Sequence, residues 1–266
     1  MDTEKRMVTS EIEALDKMIF VGTCPRSGSS MICGVLERCG AFSGITNGAT
    51  AANERGQYEN GQMNAALFGS AFEATGAGGN IRVLRTLQDA GALPRIDYIE
   101  ARITMLMRNQ GYTSGAAYFK GGNFLYFFDQ IIDQMPDAPW VLPVRDKKEI
   151  RRSMRRVGMA QTDEERDLLI DAYRACYDLI EAKAKEVYLI DTNKVKDGDF
   201  TQIKAAVEAM GMIWNQEEVE EWIDPELWGR GAEDFPTGFG PTSDRQERRD
   251  GRAQRRRQRG RPQSRT

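Results

Sequence analysis

The feature that most constrains this chain lies near its start. Lys17–Thr23 (KMIFVGT) is a short run of β-branched, aromatic and other apolar residues, and it reads as a buried strand. It runs into TCPRSGSS, a turn of small residues broken by one proline and one arginine, and then into Ser30–Cys39, whose apolar residues recur at helical spacing. Strand, tight Gly/Ser turn and helix form the phosphate-binding opening of an α/β fold. Backbone N–H groups of such a turn converge on an anion, and the helix that follows adds the positive end of its dipole. Gly28 lets the backbone approach closely, Ser27, Ser29 and Ser30 offer hydroxyls, and Arg26 supplies a permanent cation. The string is not a Walker A loop, because G-x-x-x-x-G-K-[ST] occurs nowhere in the chain.

The rest of the pattern agrees with that opening. Ala116–Lys120, Trp140–Arg145 and Val187–Asp191 read as further strands. Between and after them, helices are expected over 63–75, 95–109, Phe124–Met135, Lys147–Val157, Asp163–Lys185, Thr201–Gly211 and Gln216–Ile223. Alternating strands and helices predict a mostly parallel central sheet covered by helices on both faces. Residues 43–62 and 76–95 read as loops over the sheet edge, placed to shape a pocket. The expected organisation is an N-terminal arm over 1–16, one domain over 17–228 and an Arg-rich, disordered tail over 229–266.

Composition removes several kinds of chemistry. The chain has no histidine, so a Ser-His-Asp triad, a His-ligated metal centre and a His general base are all excluded, and no metal site is expected. Proton transfer must fall to Glu, Asp, Lys or Tyr. The four cysteines (Cys24, Cys33, Cys39, Cys176) form no C-x-x-C pair and read as structural thiols of a reducing, cytoplasmic compartment. No apolar run approaches the roughly 18–20 residues of a membrane span. The net charge of −3 conceals an asymmetry: Ser243–Thr266 holds ten Arg against three acids, leaving the remainder strongly acidic. That tail suits nucleic acid or an acidic glycan, or serves only to keep the chain soluble.

A second anion site is legible in WVLPVRDKKEIRRSM. Arg145 closes a strand and Ser153 follows eight residues later on the next helix, a charge-assisted contact and a neutral one suited to a phosphate. These two motifs carry a resemblance. TCPRSGSS is similar to the 5′-phosphosulfate loop of sulfotransferases that use 3′-phosphoadenylyl sulfate (PAPS), and the Arg145/Ser153 arrangement resembles their 3′-phosphate site. The stretch from Val187 to Trp228 resembles the family's C-terminal segment. The resemblance covers about residues 17–228 and implies a P-loop-like sulfotransferase fold. It also implies PAPS as sulfuryl donor, a small-molecule or glycan acceptor with a hydroxyl or amine, and no required metal.

The resemblance also points to candidates for the proton. Many cytosolic members carry a His two residues after a strand Lys; here the comparable stretch is Lys120-Gly121-Gly122, so the His position holds glycine. Lys120 can still face the leaving oxygen. Other members use a Glu from the loop after the first helix, and NERGQYENGQMN resembles their N-P-x-G-Y-x-E pattern with Glu54 in place of the proline. Glu59 is the first choice for the base and Glu54 the second. Arg230, in the stretch Trp228–Gly231, is a further candidate for the 3′-phosphate. Two other readings stand beside this one: a small-molecule kinase using ATP, and a non-catalytic nucleic-acid- or anion-binding protein on the same fold. The identity of the acceptor and the oligomeric state are not legible.

Overall fold

A computed structural model describes residues 14–224, except 51, 52, 54 and 77–79. Four strands form one sheet: β1 (Lys17–Gly22), β2 (Ala116–Gly121), β3 (Trp140–Val144) and β4 (Val187–Asp191). All pairs are parallel and the order is β2-β1-β3-β4, so β1 lies inside the sheet and its C-terminal end opens between two neighbours. The four expected strands are all present. The apolar runs are nearly continuous, as they must be for strands covered on both faces.

Alternation along β1 sorts the core into two layers. Met18 and Phe20 point to one face, where they meet Phe119, Phe124 and Trp140; Ile19 and Val21 point to the other, with Tyr118, Val141 and Ile190. The first face is rich in stacked rings. Phe20 lies 5.0 Å from Trp140 between centroids, and Phe119 lies 5.1 Å from Phe124. Each such buried side chain stabilises the fold by roughly 1.5–3 kcal/mol.

The helices follow in chain order: α1 (Ser29–Arg38), α2 (Gly61–Thr75), α3 (Ile81–Asp89), α4 (Ile99–Asn109), α5 (Phe128–Gln134), α6 (Lys147–Arg156), α7 (Asp163–Lys183), α8 (Thr192–Lys196), α9 (Thr201–Ala209) and α10 (Gln216–Trp222). Helix α7 supplies Ile170, Tyr173, Cys176, Tyr177 and Ile180 to the aromatic face, while α1, α9 and α10 cover the other. Among the described residues, no helix is long and apolar enough to cross a membrane.

Three departures from the sequence reading have local causes. Residues 81–89, read within a loop, form α3, started by the Asn80 side chain accepting from Arg82 N at 3.0 Å. The helix read from 95 begins only at Ile99, because Tyr98 adopts φ 59°, outside the helical region. The helix read over Phe124–Met135 opens with a 3₁₀ turn at Asn123–Phe127. Phe124, Leu125, Tyr126, Phe127 and Phe128 are all buried, and five successive side chains cannot share one α-helical stripe.

Candidate active site

The turn after β1 is held open at the top of the sheet. Ser27 N donates to Cys24 O at 3.1 Å, and Cys24 N donates to the Tyr177 hydroxyl at 3.0 Å. Arg26 (φ 66°) and Gly28 (φ 93°) both sit in the left-handed region, which curls the backbone so that its N–H groups face inward. Gly28 caps α1 without any side-chain acceptor, and with Met31 N and Ile32 N turned back onto Gly28 O, the N–H groups of Ser29 and Ser30 are left for a ligand. Ser27 and Ser29 are buried, and the Ser27 hydroxyl has no hydrogen-bond partner among the described residues while its backbone ties the turn down. Its carbonyl lies 2.7 Å from Thr192 Oγ1, which is also 3.1 Å from Val144 O, so one buried hydroxyl ties the turn to the end of β3. Thr23 Oγ1 is buried and has no hydrogen-bond partner among the described residues.

Both anion motifs meet at this turn. Arg26 Nε donates to Ser153 Oγ at 3.0 Å, and Arg145 Nη1 reaches Arg26 O at 3.3 Å. Arg145 Nε bonds Glu149 Oε2 at 3.0 Å, and Asn193 Nδ2 holds the same carboxylate oxygen at 2.8 Å. Burial disfavours the charge on Arg26, and the nearby Arg145 and Arg156 add to this, holding its pKa below the ordinary value. Arg145 is shifted the same way, by burial first and with Arg156 and Arg152 adding to it, against the pull of Glu149. Partly buried cations this crowded are stabilised by an incoming anion. Burial would raise the Glu149 pKa, but hydrogen bonds from Asn193 and Arg145 outweigh it and hold the carboxyl below its usual range.

A third group forms on the other side of the turn. Lys120, at the end of β2, is buried to 3% exposure. Its ammonium donates to Ser30 Oγ at 3.1 Å and to Gln57 O, and lies 3.8 Å from Glu59 Oε1. Ser30 Oγ also accepts from Asn53 Nδ2 at 2.7 Å and faces Gln57 O at 3.3 Å. Its donor and both lone pairs therefore have partners within the protein, and what Ser30 leaves for an anion is its backbone N–H. The carboxylate of Glu59 keeps 38% of its side-chain surface exposed, beside a lysine with almost none. Glu54, Arg230 and the Arg-rich tail lie outside the described residues.

Several neighbours escaped the sequence reading. Thr192 and Asn193 start a five-residue helix behind the turn, and their signal was the Asp191 cap, whose side chain accepts from Asn193 N at 3.0 Å. Tyr173 and Tyr177 come from α7, and only the fold brings them here. Gly122 has Tyr173 against it: a Cβ there would lie 2.8 Å from the Tyr173 hydroxyl and 3.1 Å from Thr23 O. Among the described residues, no group of His, Cys, Asp and Glu is arranged to hold a metal ion.

Neither a protein-family model nor a curated protein matches the chain. Solved structures do. The sulfotransferase domain from the Synechococcus PCC 7002 olefin synthase superposes with a TM-score of 0.55 at 13% identity, covering 91% of this chain and 96% of that one. The sulfotransferase domain from the curacin biosynthetic pathway gives 0.52 at 12% identity, covering 91% and 99%. This chain has the sulfotransferase fold. The fold read from the motifs and the fold found agree. At such identities the likeness concerns the architecture, and the chemistry rests on the residues just described.

Proposed function

We propose that the protein transfers a sulfuryl group from PAPS to a hydroxyl or amine acceptor. One observation carries this reading: the Arg26 guanidinium bonds Ser153, so the two sequence-distant anion motifs form one continuous cradle. A nucleotide with phosphate groups at both its 3′ and 5′ positions suits such a cradle, because it offers an anion to each half.

When bound, PAPS supplies a sulfuryl group whose transfer leaves adenosine 3′,5′-bisphosphate. The turn over Thr23–Gly28 and the start of α1 receive the 5′ side through backbone N–H groups, and Arg26 adds charge as the leaving oxygen becomes more negative. Arg145 and Ser153 hold the 3′-phosphate. Across the turn, Glu59 takes the acceptor proton as the acceptor oxygen bonds to sulfur. A positioned base of this kind contributes about 10²–10⁴-fold. Lys120 fixes that corner by binding Ser30 of α1, Gln57 of the loop and Glu59 at once. Transfer of such groups demands positioning and charge stabilisation more than covalent chemistry, and this site is built of those two things.

The kinase reading lacks the Walker lysine and serine/threonine pair, and the nucleic-acid reading rests on a tail outside the described residues; neither gains from the site. The test is mass-detected sulfate transfer from PAPS across a panel of phenols, sugars and lipids, with and without EDTA. Sulfated product that persists in EDTA is expected. Thermal protection by ATP with Mg²⁺, but not by adenosine 3′,5′-bisphosphate, would overturn the reading.

A further inference from the structure

Tyr173 reaches this site from α7 with its hydroxyl leading. Its ring packs in the aromatic face, 6.3 Å from that of Tyr126, and the residue is only 4% exposed. Yet its hydroxyl forms no hydrogen bond to any described residue, unlike its neighbour on α7, Tyr177, which is bonded to the turn through Cys24 N. The oxygen is not among the sealed, unpaired side-chain atoms of the described residues, so it opens onto the site and has a proton to donate there. The position explains where the partner comes from. The hydroxyl lies at the end of β2 against Gly122, beside the carbonyl of Thr23, the first residue of the anion-binding turn. Any residue larger than glycine at 122 would place its Cβ 2.8 Å from that oxygen and close the space in front of it. Thr23 Oγ1, on the residue that supplies that carbonyl, is buried without a partner among the described residues. An unpaired phenol open to the site, one buried threonine hydroxyl without a partner and a glycine that keeps room before the phenol suit oxygen atoms brought by a ligand.

Resting on the reading above, we infer that Tyr173 donates a hydrogen bond to an oxygen of the transferring sulfuryl group and that Gly122 exists to let it. Burial, reinforced by Tyr126, Cys24, Tyr177 and Glu59, pushes the phenol well above its ordinary pKa. It therefore keeps its proton at every working pH and acts as a donor, never as the base. That division leaves proton removal to Glu59, whose charge Tyr173 already feels, and places a neutral donor on the oxygens that gain charge in the transition state.

The test compares two nucleotides by calorimetry in the full chain: PAPS, which carries the sulfuryl group, and adenosine 3′,5′-bisphosphate, which lacks it. Tyr173→Phe removes one oxygen and keeps the ring. It is expected to weaken PAPS about 10-fold, the scale of a hydrogen bond to a charged group, and to leave the bisphosphate within 2-fold. Gly122→Ala, which crowds the hydroxyl from outside, is expected to do the same, and the double variant to be no worse than either single one. Equal losses for both nucleotides, or no loss for either, would overturn the assignment, as would a loss seen only in the affinity for an acceptor. Should the wild-type protein bind neither nucleotide, the underlying proposal of sulfuryl transfer fails instead.

Discussion

The two sides of the turn after β1 are built differently. On the arginine side, Arg26 stands in the turn itself, but what it meets is regular: Arg145 directly follows β3, Ser153 and Glu149 lie on α6, and Asn193 lies on α8. On the lysine side, one rigid residue, Lys120, is surrounded by irregular chain: Asn53, Gln57 and Glu59 all belong to the segment before α2. A site that grips a nucleotide of fixed shape gains from regular elements. A site that admits an acceptor needs a segment whose shape can vary between proteins, and loops supply it. Under the proposed function the contrast separates a binding half from a chemical half, and substitutions should split along that line.

The largest effect is expected at Glu59. Glu59→Gln keeps the size and exposure of the side chain and removes its basicity, so turnover should fall about 10²–10⁴-fold while calorimetric affinity for adenosine 3′,5′-bisphosphate stays within 2-fold. A fall in affinity equal to the fall in turnover would erase the division. Next in size, Arg145→Ala should weaken that nucleotide by about 10–100-fold, as the loss of a charge-assisted phosphate contact does, with Arg26→Ala of similar size. If turnover of Arg145→Ala at saturating nucleotide also fell as far as in Glu59→Gln, Arg145 would belong to the chemical half as well.

A smaller effect tests how the loop is held. Trp222 of α10 lies over Gly34 of α1, where an added Cβ would come within 2.1 Å of the indole, and Arg38 stacks 3.8 Å from its ring centre. Arg55, from the loop that carries Gln57 and Glu59, lies 4.7 Å from the same ring and bonds the Trp222 carbonyl. Gly34→Ala should therefore lower stability by about 1–3 kcal/mol through overpacking, measured by urea denaturation, and speed hydrogen exchange in 53–60 more than in β1. Uniform exchange would show that the indole does not hold the loop.

The smallest effect concerns pH. The folded pKa of Glu149 lies below its ordinary 4.5. Its contribution is then fully present above that value and is lost as pH falls through the lower, folded one. The melting temperature of Glu149→Gln should trail the wild type at neutral pH and approach it as acidity increases below 4.5. A constant gap across that range would assign its role to shape alone.

How much of this could be read from the chain alone divides along the same line. The strands were legible because a sheet covered on both faces demands unbroken apolar runs, and KMIFVG and WVLPV are such runs. The arginine side was legible because each half is a local motif: a turn of fixed length, and an arginine eight residues before a serine. What brings the halves together is not local. The bond from Arg26 to Ser153 spans 127 residues, and nothing in either motif shows the other. The hydroxyl of Ser30 was read as a ligand donor, and only the approach of Lys120 and Asn53 reveals that its capacity is already filled. Helix α3 was hidden by its setting: Gly-rich chain precedes it, and the run reads as loop until the Asn80 cap is seen. Tyr173 sits on a long amphipathic helix among other core positions, where its spacing says only that it faces inward.

The central claim is that two motifs 127 residues apart make one site for one nucleotide. Titration calorimetry with adenosine 3′,5′-bisphosphate and adenosine 5′-monophosphate, on the wild type and on Arg145→Ala, tests it most directly. The wild type should bind the bisphosphate at least about 10-fold more tightly, as one added charge-assisted phosphate contact implies, and Arg145→Ala should remove most of that preference. Equal affinity of the wild type for the two nucleotides would contradict the claim.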